Sequence, residues 1–341
     1  MQFFQNDLND QTLWRAIILF GQNVASYKFA LGKSLLELAG DGKSFVSMEE
    51  LAVPFSHHVC QHMAFGVKQA TSKSSKFLDV CAQYNRKEIT HEQLVDTTVR
   101  QAFGDVIDRF HIVNRGEIPT RFYMDERPER KGIVLTDALG ALVESQQIGD
   151  LPHEVEARWR LVETAWSLNV APRLLEVSYA DAEDRFVYDD GARRIDITSS
   201  RPSLNGYQKG ACFYCGVAIS LDSESSAFCD VDHFFPHTLK QSNDVGFANI
   251  DGVWNLVLSC QDCNRGVGGK HALLPSLRLL SKLHRRNEYY IESHHPLRET
   301  IVNQTGKMPT QRRDFLQSVY NNSRQLLVHE WDPARGADDQ I

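Results

Sequence analysis

No run of about 18 consecutive apolar residues occurs in this chain of 341 residues, so no segment reads as a membrane-crossing helix. The opening Met1-Gln2-Phe3-Phe4-Gln5-Asn6-Asp7 lacks the basic-then-apolar pattern of a signal peptide, and a cytoplasmic location without membrane association is expected. Net positive charge is missing as well. The formal charge is −7, which argues against a protein that coats nucleic acid by bulk attraction. There is no disulfide framework: of seven cysteines, four form two Cys-x-x-Cys pairs, while Cys60, Cys81 and Cys229 are scattered and read as core thiols. That usage points to a reducing compartment and a metal. Internal repeats and low-complexity segments are absent too. What remains is 42% hydrophobic and 24% charged, a globular composition in a chain long enough for two domains.

The charge is unevenly spread. The first 200 residues hold 22 basic and 29 acidic groups, and positions 201–341 hold 15 of each. Within the balanced part, Arg265 to Asn287 carries six basic residues and no acidic one.

The first 170 residues read as a mostly helical domain. Leu13, Trp14, Ile17, Ile18, Phe20, Val24, Tyr27, Leu31 and Leu35 recur at helical spacing and predict one long helix from Asp10 to Leu38, stopped by Gly40. Ser47-Met48-Glu49-Glu50 and Thr90-His91-Glu92-Gln93 are capping boxes, and Pro54 is expected to restart the chain into a separate helix. Gly132 to Leu135 reads as a strand, Thr136 as a helix cap, and Pro152 as the opening of a helix with Val155, Trp159, Val162 and Trp166 on one face. His58 and His62 could share a helix face. No acidic ligand stands beside them at metalloprotease spacing, so a packed or surface pair is the expectation. Residues 171–198 alternate as a β-hairpin-like connector with a turn at Asp189-Asp190-Gly191, and residues 199–341 form a second domain ending in helices after Pro275 and Pro309 and a polar tail, Ala334 to Ile341.

The second domain is organised around Cys212-Phe213-Tyr214-Cys215 and Cys260-Gln261-Asp262-Cys263. Two residues between cysteines let one tight turn aim both sulfurs at one ion, and four thiolates suit the tetrahedral preference of Zn²⁺. The gap between the pairs exceeds that of an ordinary zinc ribbon. It carries Asp230-Val231-Asp232-His233 and Asn255, and Asn264 follows the last cysteine at once. The order reads strand, strand, helix: Ala227 to His233, Val253 to Ser259, then a helix from about Cys260 past Gly266 towards Leu274.

These residues resemble the HNH, or ββα-metal, nucleases. The match spans roughly Ser199 to Leu274, and the Asp-Val-Asp-His run with Pro236 and Asn264-Arg265-Gly266 is similar to the HNH domain of RNA-guided CRISPR effectors. Many family members carry His where this chain has Asn264. The resemblance implies an α+β protein, a mostly helical N-terminal domain followed by a zinc-stapled ββα-metal domain with C-terminal helices. It implies a structural Zn²⁺ on Cys212, Cys215, Cys260 and Cys263, and a catalytic Mg²⁺ or Mn²⁺ on Asp232 and Asn264. His233 becomes the general base, and Asn255 a brace for the loop beside it.

Phosphodiester hydrolysis suits such a set. His titrates near neutrality and can take a proton from water, while a hard cation prefers the oxygens of Asp and Asn. Sequence neighbours on a strand point to opposite faces, so Asp232 and His233 can serve one site only at the strand's end. His237 reads as a loop residue. Arg265 and Lys270, with Arg278, Lys282, Arg285 and Arg286 at helical spacing, read as a stripe for a phosphate backbone, against a solvated helix face as the alternative. The expected function is an endonuclease acting on nucleic acid, DNA being the usual family substrate, with a restriction or anti-phage role by analogy. Two other readings stand beside it: a zinc-stapled nucleic-acid-binding or adaptor protein that does not cut, and a nuclease active only in a complex joined through its acidic N-terminal domain.

Overall fold

In the computed structural model the described residues are 9–21, 25–64, 68–71, 75–144, 150–168, 175, 177–189, 194–241 and 248–333. The Met1–Asp7 opening, the Asp190-Gly191 turn and the Ala334–Ile341 tail lie outside them. The chain is mixed helix and small sheets, an α+β protein, and divides into two compact units, Met1–Pro172 and Arg173–Ile341.

In the first unit, helices Asp10–Phe20, Tyr27–Gly40, Met48–Ala64, His91–Gln101 and Asp150–Leu168 surround a core of Trp14, Phe29, Leu35, Phe55, Phe110 and Trp159. A three-stranded antiparallel sheet runs in the order Phe45–Ser47, Gly132–Leu135, Tyr123–Glu126. The single helix expected over Asp10 to Leu38 is two helices. The first ends at Gly21, whose N–H still reaches the Ile17 carbonyl while its own backbone turns extended. A Cβ there would lie 2.5 Å from the Ile17 backbone oxygen, so this helix end requires glycine.

Pro54 starts no new helix, contrary to expectation. Met48–Ala64 is continuous through it, and Pro54 is buried beside Leu51 and Phe55 where this helix packs on its neighbours. Packing has outweighed a local penalty of about 3 kcal/mol. Both capping boxes form: Glu50 N–H donates to Ser47 Oγ (3.1 Å) and Ser47 N–H to Glu50 Oε2 (3.0 Å), with the same reciprocal pair at Thr90 and Gln93. Thr136 instead turns its hydroxyl to the Arg121 carbonyl (2.7 Å). His58 and His62 do not converge. His58 Nε2 meets Glu37 (3.1 Å), whereas His62 stacks on Trp159 with its nitrogens at Glu163 (2.8 Å) and Glu156 (3.1 Å).

The second unit opens with a three-stranded antiparallel sheet, Ser178–Ala180, Arg185–Asp189 and Arg194–Ser199 in that order. Helix Ser200–Gln208 follows. Strand Asp230–His233 then pairs antiparallel with Leu256–Ser259, His233 facing Leu256 and Asp230 facing Ser259. Both strands are shorter than predicted: Ala227 lies in a turn and Phe228 only bridges Ser220 ahead of the first, and Val253–Asn255 is a 3₁₀ turn ahead of the second. Helix Gln261–Arg265 is also short. A Cβ at Gly266 would sit 2.7 Å from Asp262 Cα and oxygen, so the chain leaves the helix there on a glycine. Helices Leu277–Glu292, Arg298–Thr305 and Pro309–Leu326 complete the unit. On the first of these Leu279, Leu280 and Leu283 are buried, while Leu277, expected on that stripe, is exposed.

His111 supplies a pH test of the first unit. It is buried, accepts the Phe122 N–H on Nε2 (3.0 Å), and burial, helped by Arg121 and Lys28, drives its pKa down to about 3. The unfolded imidazole titrates near about 6.5. Above that pH both states are neutral and the contribution is complete. As pH falls from about 6.5 towards 3 only the unfolded chain takes the proton, so stability is lost by up to about 1.4 kcal/mol per pH unit. Amide exchange across residues 75–144 should show this loss in the wild type and a shallower one in His111→Gln. Parallel curves would remove His111 from this role.

Candidate metal and catalytic site

The first cysteine pair lies on a tight turn. Cys212 N–H donates to the Val217 carbonyl (2.8 Å), Gly216 N–H donates to the Cys212 carbonyl (3.0 Å), and Gly216 takes φ +75°. In the second pair Cys260 caps helix Gln261–Arg265, its sulfur facing the Cys263 N–H at 3.5 Å. The four sulfurs of Cys212, Cys215, Cys260 and Cys263 lie within 4.8 Å of one another. Tetrahedral zinc with Zn–S bonds of about 2.3 Å spaces its sulfurs roughly 3.8 Å apart. Cys215 and Cys260 Sγ are 3.8 Å apart. The donor set therefore fits Zn²⁺ in both chemistry and spacing.

Strand Asp230–His233 is the axis of the rest. Asp232, 7% exposed, accepts the Tyr214 hydroxyl on Oδ2 (2.6 Å) and faces Lys270 Nζ across 3.2 Å on Oδ1. Burial pushes its carboxyl above the ordinary value, against the pull of Lys270 and Tyr214. Both partners are tied to the cysteine pairs: Tyr214 lies between Cys212 and Cys215, and Lys270 N–H donates to the Cys263 carbonyl (2.7 Å).

His233, the next residue, turns to the opposite side. Its Nε2 lies 3.0 Å from Asp251 Oδ1, and its ring packs near Tyr179 (5.7 Å between centroids) and His237 (5.3 Å). His237 itself is exposed. Asn255 is fully buried. Its Oδ1 accepts the Phe235 N–H (2.8 Å), and its Nδ2 donates to the carbonyls of Phe235 (3.0 Å) and Ile250 (2.8 Å). One amide thus ties the segment after His233 to the segment before Asp251.

Asn264 meets Asp230, not Asp232. Its Nδ2 donates to Asp230 Oδ2 (3.0 Å), and the exposed Arg265 side chain pairs with the same carboxylate at 3.0 Å. Asp230 and Asp232 alternate onto the same face of the strand, two residues apart. Asp232 and Asn264, expected to share a catalytic cation, have separate partners here: Asp232 faces the buried Lys270 ammonium and Asn264 faces Asp230. Asp230, Tyr179 and Asp251 are the residues the sequence reading missed. Only Asp230 had a visible signal, its i,i+2 spacing from Asp232. The sheet that carries Tyr179 is no mere connector: Tyr179 N–H donates to the Asp251 carbonyl (2.9 Å).

The basic stripe needs correction. Lys270 is 0% exposed and held by Asp232. Arg286 is 1% exposed and donates to the carbonyls of Val253 (3.3 Å) and Trp254 (3.1 Å). Lys282 is buried with its ammonium 5.3 Å from the Phe213 ring centre. Arg278, at the surface, pairs with Asp332 (3.0 Å), and Arg265 and Arg285 are exposed. The reason is helical geometry. Each step of four residues advances about 40° around a helix of 3.6 residues per turn. Arg278, Lys282 and Arg286 therefore wind from solvent into the core.

No family model, curated protein or solved structure matches the chain.

Two measurements check the site. Metal analysis of the purified protein should return one Zn²⁺ per chain, and Cys260→Ser should lower both the zinc content and the unfolding midpoint of the second unit, because binding here contributes folding free energy. Folded, soluble protein without zinc would overturn the assignment. Separately, Lys270→Met leaves the Asp232 charge buried without its cation and should cost about 3–5 kcal/mol in denaturant unfolding. Combining it with Asp232→Asn should recover most of that loss. An additive double variant would show that the two residues act independently.

Proposed function

We propose that this chain is a metal-dependent endonuclease of the HNH type, hydrolysing phosphodiester bonds in nucleic acid, with DNA as the first substrate to test. The observation that supports it is one juxtaposition. The four cysteine sulfurs gather beside one antiparallel strand pair, whose first strand ends in Asp232-His233 and whose second leads into the short helix bearing Asn264. A purely structural zinc staple needs neither the histidine nor the amide.

His233 takes a proton from water on the ring nitrogen turned away from Asp251. General bases of this kind contribute about 10²–10⁴-fold. Mg²⁺ or Mn²⁺ would need a strand carboxylate, Asp232 or Asp230, and the Asn264 oxygen in place of the Nδ2 that donates to Asp230; stabilising the leaving oxygen is the chemistry such an ion supplies when bound. Asn255 fixes the backbone on both sides of the pair, and Asp232 anchors the strand to the cysteine turns. Arg265, exposed beside Asn264, and Arg278, further along, are the positions of the basic stripe best placed to meet a phosphate backbone.

A second reading, a zinc-stapled binding module that does not cut, draws on one observation: Tyr214 and Lys270 already satisfy Asp232. Incubating the protein with plasmid, single-stranded DNA and RNA, in Mg²⁺, Mn²⁺ or EDTA, separates the two. Metal-dependent cleavage is expected for the wild type. His233→Ala should lose about 10²–10⁴-fold of that activity with zinc content and unfolding midpoint unchanged. Cutting by pure His233→Ala near the wild-type rate would remove the histidine from its role. Absence of cleavage on all three substrates would favour the binding module.

A further inference from the structure

We propose that Asp251 is the positioning residue for His233, fixing which imidazole nitrogen carries the proton. This rests on the nuclease reading above, but the geometry behind it is independent of any substrate.

Asp251 is held from every side. Its Oδ1 takes His233 Nε2 at 3.0 Å, and its Oδ2 pairs with Lys240 Nζ. Its backbone N–H donates to Asn249 Oδ1 (3.1 Å), and its carbonyl accepts Tyr179 N–H (2.9 Å). The preceding Ile250 carbonyl is fixed by Asn255 (2.8 Å). Five contacts on one short stretch leave the carboxylate little freedom to turn. Burial raises its carboxyl pKa, but hydrogen bonds from His233 and Lys240 outweigh that and hold it below the ordinary value, so it is ionised.

An ionised carboxylate only accepts hydrogen bonds. The nitrogen facing it, Nε2, must therefore be the one that bears hydrogen, and the lone pair of the neutral ring falls on Nδ1. That leaves Nδ1 to receive a proton from water. The Tyr179 and His237 rings flank the imidazole and restrict its swing. In an ordinary loop-bracing ion pair only the attraction would matter, and any hydrogen-bonding group of similar size would serve. In a positioning role, acceptor-only chemistry is essential. An amide at this position can offer its NH₂ to Nε2 and stabilise the opposite tautomer. In a comparable histidine–carboxylate pair an amide replacement costs about 10⁴ in kcat through the wrong tautomer.

The experiment compares wild type, Asp251→Asn and Asp251→Glu by steady-state cleavage and by ¹⁵N shifts of the His233 ring, recorded where the ring is neutral. Asp251→Asn is expected to lower kcat by about 10²–10⁴-fold with KM little changed and with zinc content and unfolding midpoint retained. Asp251→Glu should recover part of the lost kcat. The ¹⁵N spectrum should show hydrogen on Nε2 in the wild type and a shift towards Nδ1 in Asp251→Asn. Wild-type kcat in Asp251→Asn, or the same tautomer in both proteins, overturns the proposal. If the wild type cuts nothing, the nuclease reading fails on its own, and the ring spectra still decide whether Asp251 sets the tautomer.

Discussion

Taking a carboxylate and an ammonium out of water costs several kcal/mol per ion, and their attraction offsets this only where the geometry is good and the spare hydrogen-bonding positions are filled. Asp232 and Lys270 meet those terms, with the Tyr214 hydroxyl on the second oxygen. Tyr214 lies in the first cysteine turn and the Lys270 N–H donates to the Cys263 carbonyl, so this buried triad ties the strand to the sulfur cluster. Losing the order of the cysteine turns would leave a charge stranded in the core.

The pleat of that strand then divides the work. With Asp232 turned inward as an anchor, His233 must face the other way, towards Asp251 and Tyr179. Asp230 shares the anchor's face but lies nearer the strand's start, where it meets Asn264. One four-residue strand therefore carries three polar side chains in three environments: a buried ion pair, a histidine–carboxylate contact and a half-buried carboxylate–amide pair. Asn255 keeps the pieces in register by bridging the segments on either side of the histidine contact.

What could be read from the sequence was local. The cysteine pairs, the reciprocal caps at Ser47 and Thr90, and the strand-strand-helix order all depend on residues a few positions apart, and they appear as read. What could not be read depended on distant contacts. Nothing near Lys270 in the chain says that Asp232 will bury it, and nothing near Arg286 says that Val253 and Trp254 will take its guanidinium. Asp251 sits 18 residues from His233, in a loop with no periodicity. The end of the first helix at Gly21 depends on the close approach of the Ile17 carbonyl to a residue without a Cβ, which a hydrophobic repeat cannot register. The stripe of basic residues failed for a different reason. Spacing of four was treated as a straight row, whereas such a row winds around the helix and its far end enters the core.

The two cysteine turns stand 45 residues apart in sequence, as Cys215 to Cys260, yet their sulfurs touch. An ion there closes a chemical loop around nearly everything ionisable in the site. The entropy of closing a loop grows only logarithmically with its length, by about 0.6 kcal/mol for each doubling. The enclosed segment can therefore lengthen or shorten at little thermodynamic penalty, provided Asp230–His233 and Asn255 keep their contacts. With an ion bound, such a ring would let insertions vary the enclosed loop while the strand pair at its base stays in place.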